Sequence, residues 1–522
     1  MKKFLFIFLF MFCLVLTACG EATPEVTPTE GVEPTPPGTT TPLAHTPTDT
    51  TVAFSNEYED KVIYEPTINV NKYTKDAGTD IKPYQLFSDG MCLQRDAINR
   101  IWGKASKTSG IAAEINGKIY YGIVKGREWE IYLPKMMAGG PYELTIISES
   151  GRYTIKDVYI GEIFFCGGQS NMEWQAGHSG SVLEDLYSTS ACVNDNIRML
   201  HIEYYTQPEP TTERANTSKW KSANQTTIKN FSAVAYLFGK KMQEELNCPV
   251  GLIAAPVGGS NIEFWLSKEN YDKVTEIYKP YINSDEYMQP CLGYNGMLYP
   301  LNGLNVRGVL WYQGCSNAFG TQKYYDQALK IFMEQCKEMF GNEQLAFTIC
   351  ELARYEGNPY AYSIVNERIN YVADTEPNVV VARNLDLGEW KDIHPKDKRT
   401  VASRAAYETL RVFFKKDKAA PIEVSGYTFN ADGSVTVELS TTANLINGTN
   451  GFEVYVNNKY TYNCTVTVNG NKLTITADGA ITKVRYGYQC NMDEVTMNDV
   501  SKMVTVYDPN GFPLDLFLIE KE

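Results

Sequence analysis

The chain has 522 residues, enough for about three domains at roughly 150 residues each, so a single small binding module is excluded. Hydrophobic residues make up 43% of the sequence and charged residues 21%, a composition typical of globular proteins and unlike that of a mostly disordered chain. Acidic residues outnumber basic ones by 62 to 48, and the net charge of -14 argues against a nucleic acid partner or general binding to anionic membranes.

The first residues have the features of a secretory signal. Two lysines precede an apolar run of thirteen residues, Phe4 to Leu16, which is too short to span a bilayer. The segment Leu16-Thr17-Ala18-Cys19 resembles the bacterial lipobox, in which cleavage before the cysteine leaves its thiol to carry a lipid. We expect residues 1–18 to be removed and Cys19 to be lipidated. The alternative is an ordinary cleaved signal in which Cys19 is incidental.

A segment rich in Thr, Pro, Glu and Gly follows the signal and has almost nothing to bury. This composition predicts an extended tether over residues 19–55. A lipid-anchored tether would hold the folded part outside the cytoplasm, at the surface of a bacterial cell, with the lipid as its only membrane contact. His45 lies in this tether and therefore cannot be held in a catalytic geometry.

Three regions follow along the folded part of the chain. Residues 56–158 alternate apolar and polar side chains around an Asn116-Gly117 turn, which predicts an N-terminal antiparallel β-sandwich. Residues 159–418 alternate short apolar strands with helical periods, which predicts a doubly wound α/β domain. Alternation returns in residues 419–522 around turns such as Asn469-Gly470, which predicts a C-terminal β domain. The predicted fold class is α/β, with a parallel sheet flanked by two antiparallel β regions.

Ligands of an open α/β sheet bind beyond the carboxyl ends of its strands, so the loops after the predicted strands carry the candidate site residues. The predicted parallel strands are 163–166, 250–254, 306–312, 347–350 and 379–382. After the first strand, Gly167-Gly168-Gln169-Ser170 combines a tight glycine turn with a serine at a helix entrance. Ser170 is the candidate nucleophile, and a serine that only caps a helix is the alternative.

Two further loops offer donors to an oxyanion. Gly258-Gly259 follows the second strand, and paired glycines let backbone N–H groups approach a substrate closely, although such a pair is usually just a turn. Gln313 follows the third strand and has an amide N–H to donate. The alternative for Gln313 is that it satisfies a buried backbone group.

His394 is the candidate general base. It follows Asp392 by two positions and opens a predicted helix after the last parallel strand, on the side of the sheet where the serine emerges. His201 lies in a strand-like context, where a packed histidine is the usual meaning. His178 lies in a glycine-containing loop shortly after the serine, where it would line or cover the site.

Ser170, His394 and Asp392 together supply a nucleophile, a base and an acid that orients the base. Asp386 is a nearby alternative for the acid. The hydrolase signature Gly-x-Ser-x-Gly is absent, and the near match around Ser316 is a weak alternative for the nucleophile. Cys-x-x-Cys and His-Glu-x-x-His motifs are absent too, so we predict no metal site and no cofactor.

These loops together resemble the sialate O-acetylesterase family, a branch of the SGNH hydrolases. The resemblance runs in the family's order through Leu86 to Arg95, Gly161 to Trp174, Gly258-Gly259-Ser260 with Trp265, Tyr294 to Met297, Arg307 to Gly314, and Asp392 to Pro395. It implies an SGNH-like sheet and the deacetylation of a sugar through an acetyl-enzyme on Ser170. It also implies an oxyanion hole built from the N–H of Ser170, a glycine of Gly258-Gly259, and Gln313.

One position departs from the family pattern. The family usually reads Trp-Tyr-Gln-Gly-Glu, and Cys315 stands here at the glutamate position, which we interpret as altered support for the site. The expected substrate is an O-acetylated sialic acid, with acetyl xylan or another decorated plant polysaccharide as the alternative. A hypothesis of another class is a sugar-binding surface lipoprotein whose esterase core has decayed.

Overall fold

The computed structural model of the chain describes residues 58–106, 108–212, 219–282, 284–488 and 500–521. The predicted signal, Cys19 and the tether lie outside the described residues, so the expectations about them stay predictions. In the part of the chain that is described, none of the helices combines the length and apolar character needed to cross a bilayer.

The N-terminal region is built mostly of antiparallel strands, and one short strand, Cys92–Gln94, pairs parallel with the strand Gly151–Gly168. Trp129, Ile131 and Leu133 alternate along one strand and are all buried, as the sequence pattern predicts. The predicted Asn116-Gly117 turn joins two paired strands, with Ile115 opposite Lys118. The strands are β1 (Ile81–Pro83), β2 (Cys92–Gln94), β3 (Asn99–Ala105), β4 (Ile111–Ile115), β5 (Lys118–Lys125), β6 (Glu128–Leu133), β7 (Gly139–Ser148) and β8 (Gly151–Gly168).

A parallel sheet forms in the middle of the chain around the second half of β8. Its other strands are β9 (Asn194–His201), β11 (Val250–Pro256), β12 (Gly308–Tyr312), β13 (Ala346–Cys350) and β14 (Val379–Ala382), while β10 (Lys221–Ala223) lies antiparallel at the edge. The parallel order is β9-β11-β8-β12-β13-β14. Each of the five predicted parallel strands is present. The first half of β8 pairs antiparallel with β7, so one strand belongs to both regions.

Helices connect these strands. They are α1 (Ser170–Glu173), α2 (Gln225–Lys229), α3 (Ala233–Leu246), α4 (Lys268–Ile277), α5 (Tyr325–Phe340), α6 (Pro359–Thr375) and α7 (Lys398–Phe413). Ser232 begins α3 as predicted, because its Oγ accepts the N–H of Ala235 at 3.1 Å. Helix α3 packs on α7, and α5 packs on α4 and α6, which gives two groups of helices against the sheet.

Antiparallel sheets close the chain. The strands are β15 (Val424–Phe429), β16 (Val435–Leu439), β17 (Asn444–Leu445), β18 (Phe452–Val456), β19 (Lys459–Thr461), β20 (Cys464–Asn469), β21 (Lys472–Ala477), β22 (Lys483–Tyr486), β23 (Val506–Tyr507) and β24 (Phe517–Glu520). They form the sheets β15-β16-β21-β20, β19-β18-β22-β24 and β17-β23. The predicted α/β fold class with antiparallel regions at both ends is confirmed. The predicted boundary at residue 158 falls inside β8, and the exact domain limits stay a prediction.

Candidate active site

The nucleophile candidate lies where β8 turns directly into α1. Gly168 has φ +137°, and a Cβ atom at this position would lie 2.2 Å from the carbonyl oxygen of Tyr312. Only glycine fits a turn this close to the neighbouring strand β12. Ser170 is the first residue of α1, and its side chain is partly exposed at the carboxyl edge of the sheet.

The structure brings Ser170 and His394 together. The Nε2 atom of His394 lies 2.9 Å from the Oγ atom of Ser170, within hydrogen-bond distance. On the other side of the ring, Nδ1 lies 3.4 Å from Oδ1 of Asp392. The same carboxylate oxygen accepts the backbone N–H of His394 at 2.9 Å, which fixes the loop that carries the imidazole.

Asp386, the alternative acid, points elsewhere. Its two carboxylate oxygens accept hydrogen bonds from Arg404 at 2.6 and 2.8 Å, and both side chains are almost fully buried. Arg404 also donates to the carbonyl oxygen of Arg383 at 2.8 Å. The carboxylate beside the imidazole is therefore that of Asp392.

His394 has a lowered pKa. Burial is the largest cause, and the charge of Lys398 adds to it, while the carboxylate of Asp392 acts in the opposite direction. The net effect keeps the imidazole neutral to a lower pH than usual. A neutral imidazole is the form that accepts the proton of a serine hydroxyl.

Gly258 lies beside the nucleophile, and Gly259 forms the turn. A Cβ atom on Gly258 would lie 3.4 Å from Cβ of Ser170. The N–H of Gly258 is donated to Oε2 of Glu173 at 2.7 Å, so an exposed carboxylate oxygen already occupies this donor. Gly259 has φ +78° and open space around it, and its carbonyl oxygen accepts a hydrogen bond from Ser316 at 3.0 Å.

Gln313 is fully buried, and both hydrogens of its amide are already donated. Its Nε2 atom donates to the carbonyl oxygen of Ser260 at 3.1 Å and to Oδ1 of Asn317 at 2.8 Å. Its Oε1 atom accepts from the hydroxyl of Tyr325 at 2.9 Å. This arrangement corresponds to the alternative in which Gln313 satisfies buried groups, and its expected role as a donor to an oxyanion stays a prediction.

The remaining histidines differ in their distance from the site. The ring of His178 packs 3.8 Å from the ring of Trp174, and Trp174 lies 5.1 Å from His394 between ring centroids. His178 thus lines the site from the side of α1. His201 is the last residue of β9, in the strand that the sequence predicts. His45 lies outside the described residues.

The sequence reasoning missed Lys398, which lies at the start of α7. This side chain is 0% exposed, and its Nζ atom donates to Oδ1 of Asn171 at 2.6 Å. Lys398 precedes Val401 by three residues and Ala405 by seven, so helical periodicity puts it on the buried face of α7. A lysine at a position on the apolar face of the predicted helix is the sequence signal that could have identified Lys398.

Cys315 is buried in the loop after β12. Burial raises the pKa of its thiol to about 11, so the side chain is neutral at physiological pH. Its thiol lies within electrostatic reach of Lys398. The departure from the family pattern therefore places a neutral group next to a buried amine.

Taken together, these residues have the geometry of a serine acyl-transfer site. A hydroxyl is hydrogen-bonded to an imidazole, the imidazole lies against a carboxylate, and a glycine lies beside the serine. Such an arrangement activates a serine for attack on a carbonyl carbon. The lines of comparison with known proteins agree with this chemistry.

Residues 160–407 match the family model described as carbohydrate esterase, sialic acid-specific acetylesterase. The sialate O-acetylesterase of Homo sapiens is 26% identical over 372 residues, which cover 63% of this chain and 70% of that protein. The sialate O-acetylesterase of Mus musculus is 25% identical over 401 residues, covering 64% of this chain and 74% of that protein.

A carbohydrate acetylesterase from Xanthomonas citri has a similar fold. Its crystal structure superposes with a TM-score of 0.74 at 24% identity and covers 85% of this chain and 100% of that one. The likeness extends through the α/β sheet and into the β regions that flank it. Residues 160–407 of the chain are thus similar to the carbohydrate esterase family of sialic acid-specific acetylesterases.

Proposed function

We propose that this protein hydrolyses O-acetyl esters on carbohydrates, with Ser170 as the nucleophile and His394 as general base and then general acid. The observation that carries the proposal is the 2.9 Å contact between Nε2 of His394 and Oγ of Ser170. The match of residues 160–407 to a carbohydrate esterase family supports the class of substrate.

The reaction proceeds in two acyl transfers. Oγ of Ser170 attacks the acetyl carbonyl carbon while Nε2 of His394 takes the hydroxyl proton. The bond from the acetyl carbon to the sugar oxygen then breaks, and His394 returns the proton to that oxygen. A water molecule next gives a proton to His394 and attacks the acetyl-enzyme, acetate leaves, and Ser170 recovers its proton. Asp392 stabilises the imidazolium in both steps.

Two backbone donors support the oxyanion in this proposal. Ser170 is the first residue of α1, where a backbone N–H has no acceptor within the helix. The N–H of Gly258 is the second donor, and the carboxylate oxygen of Glu173 marks the place where a negatively charged oxygen is held. The substrate carbonyl would displace Glu173 from this donor.

An O-acetylated sialic acid is the first candidate substrate, because the matched family and relatives carry that name. A neutral acetylated polysaccharide, such as acetyl xylan, is the second. The exposed carboxylate of Glu173 beside the nucleophile favours the neutral polymer, since it would repel the carboxylate of a sialic acid.

Acetate release from both substrate classes tests the proposal. Purified wild-type protein should release acetate from at least one of them, and Ser170→Ala should reduce the rate to the background, because among the described residues the hydroxyl that contacts His394 is that of Ser170. The ratio of the two rates identifies the substrate class. If wild type is no faster than Ser170→Ala on either substrate, the enzymatic proposal fails and a sugar-binding surface protein becomes the better account.

We propose in addition that the protein is a lipoprotein anchored outside the cytoplasm. The support is the sequence from Met1 to Cys19 and the Pro- and Thr-rich segment after it. Mass spectrometry of the mature N-terminus should show Cys19 carrying a diacylglycerol. An unlipidated terminus at another residue would contradict the anchor without affecting the esterase proposal.

A further inference from the structure

Lys398 makes a chain of contacts to the loop that holds the proposed base. Its Nζ atom donates to Oδ1 of Asn171 at 2.6 Å, and Nδ2 of Asn171 donates to the carbonyl oxygen of Ile393 at 3.1 Å. Ile393 immediately precedes His394. Because Asn171 follows Ser170, one buried amide joins the helix of the nucleophile to the loop of the base.

No carboxylate in the described part of the chain forms a salt bridge with Lys398. Its Nζ atom lies 5.4 Å from the ring centroid of Trp174 and 6.0 Å from that of Tyr312, so two aromatic rings lie near the ammonium. A buried ammonium without an ionic partner is costly, and the amine is easily deprotonated. Burial accordingly lowers the pKa of Lys398 to about 7.

The titratable groups facing Lys398 are on three elements. The thiols of Cys315 and Cys350 lie after β12 and at the end of β13, and the carboxylates of Glu389 and Asp392 lie on the loop before α7. Both thiols have pKa values raised by burial and are neutral. The carboxylates are too distant for a salt bridge. A charged group at position 315 would therefore change the surroundings of Lys398 most directly.

The groups facing His394 complete the electrostatic surroundings. Asp392 lies on the same loop, Lys398 on α7 and His178 on the loop after α1. Lys398 therefore acts on His394 in two ways, through its charge and through the hydrogen bonds of Asn171. Both effects weaken when the amine loses its proton.

We propose that Lys398 is a positioning residue for His394, acting through Asn171, and that Cys315 leaves it without an ionic partner so that the esterase activity depends on its protonation. This inference rests on the proposed function. The protonated amine makes the stronger, charge-assisted hydrogen bond to Asn171, so kcat should fall about five- to tenfold as the amine deprotonates. The pH profile of kcat should show an alkaline decline centred near pH 7, in addition to the acidic limb of His394.

Substitutions at position 315 test this inference. Cys315→Glu introduces a carboxylate next to Lys398, and Cys315→Gln introduces a neutral side chain of the same size. The alkaline decline should move up by at least one pH unit in Cys315→Glu and stay in place in Cys315→Gln. Lys398→Met should lower kcat about tenfold with a smaller change in KM, and its profile should lack the alkaline decline. Equal shifts in the two Cys315 variants would overturn the inference, because size and not charge would then be responsible.

A second measurement does not depend on activity or on the folding of the Cys315 variants. In protein labelled with ¹³C at the lysine ε-carbons, NMR should show one resonance that titrates near pH 7 and is missing in Lys398→Met. If every lysine resonance of the wild type titrates above about pH 9.5, the inference is wrong. The NMR titration tests the role of Lys398 even if acetate release by wild type equals that of Ser170→Ala. That activity result would refute the proposed function instead.

Discussion

The contact between Ser170 and His394 joins residues 224 positions apart, yet both could be identified from the sequence. Each follows a strand of the parallel sheet, and the carboxyl ends of such strands share one edge. The sequence leaves Asp392 and Asp386 open as the acid, because spacing does not say where a carboxylate points. The buried ion pair between Arg404 and Asp386 supports Asp392.

The roles of Gln313 and Lys398 could not be obtained in the same way. Whether an amide is free depends on partners that other segments supply, and for Gln313 these are Ser260, Asn317 and Tyr325. From the sequence alone Lys398 resembles an ordinary surface lysine, because its burial results from the packing of α7 on the sheet. Hydrogen-bond partners of this kind are determined by tertiary packing, which local patterns do not contain.

His394→Ala should abolish turnover, whereas His178→Ala should leave it measurable. His394 is within hydrogen-bond distance of Ser170, while His178 packs on Trp174 and accepts the N–H of Gly180 at 3.2 Å. Acetate release by both variants, each checked for a normal thermal melt, measures this difference. An equal loss in the two variants would mean that the base has been assigned to the wrong histidine.

Asp392→Asn should lower kcat by about 10- to 100-fold, less than in sites with a fully buried aspartate, because this carboxylate is 43% exposed. The pH dependence has a definite sign. Since His394 must be neutral to act, kcat/KM rises with pH through its pKa, which lies below the ordinary value of 6.5. Asp392 raises that pKa, so Asp392→Asn should move the acidic limb to lower pH.

Asp386→Asn is the matched control for this experiment. It breaks the ion pair with Arg404 and should reduce thermal stability without moving the acidic limb. A shift of the limb in Asp386→Asn and none in Asp392→Asn would reverse the assignment of the acid.

At the scale of elements, a buried charge cluster joins strands of the two regions that share β8. Glu162 of β8 is 0% exposed and accepts hydrogen bonds from Arg95 at 2.6 Å and Arg307 at 2.9 Å. Gln94 of β2 donates to it at 2.7 Å. In this cluster, Gln94 and Arg95 from one segment of the family resemblance meet Glu162 from another.

Glu162→Gln should lower the free energy of unfolding by about 3–5 kcal/mol, because it removes the buried negative charge that faces two buried guanidinium groups. Denaturant unfolding at pH 7 measures the loss. Glu438→Gln, which removes an exposed ion pair with Lys472, should cost at most about 1 kcal/mol. Similar losses of unfolding free energy in both variants would mean that burial does not determine how much an ion pair contributes to stability.

The stability from Glu162 also depends on pH. Burial raises its pKa, but the charges of Arg307 and Arg95 outweigh that effect and the net pKa is lowered. The contribution is therefore present above the unfolded-state pKa and is lost as pH falls through the folded-state pKa. Glu162→Gln should lose less stability than wild type on acidification.

At the scale of the whole molecule, the C-terminal sheets complete the surface of the α/β region. Leu385, in the loop after β14, belongs to the same buried apolar cluster as the C-terminal strands. Arg354 donates to the carbonyl oxygens of Gly487 and Tyr488, and Ser363 donates to Tyr488 at 2.8 Å. Side chains of the α/β region thus donate hydrogen bonds to backbone carbonyl oxygens of the C-terminal region.

Deletion of residues 419–522 should therefore prevent stable folding of the rest. It would expose Leu385 and leave the buried guanidinium group of Arg354 without acceptors. Soluble yield and the thermal melt of residues 56–418, compared with residues 56–522, test this expectation. A soluble 56–418 fragment with a cooperative melt and normal acetate release would show instead that the predicted C-terminal domain is dispensable.

The position of β8 in the chain determines the order in which its sheet partners become available during synthesis. Its first half pairs with β7 through the short turn between Ser148 and Gly151, so this hairpin is complete once residue 168 has left the ribosome. The parallel partners of residues 164–168 of this strand begin only at Val250 and Gly308. During synthesis these residues before Ser170 thus have two unpaired edges, to which the later strands are added.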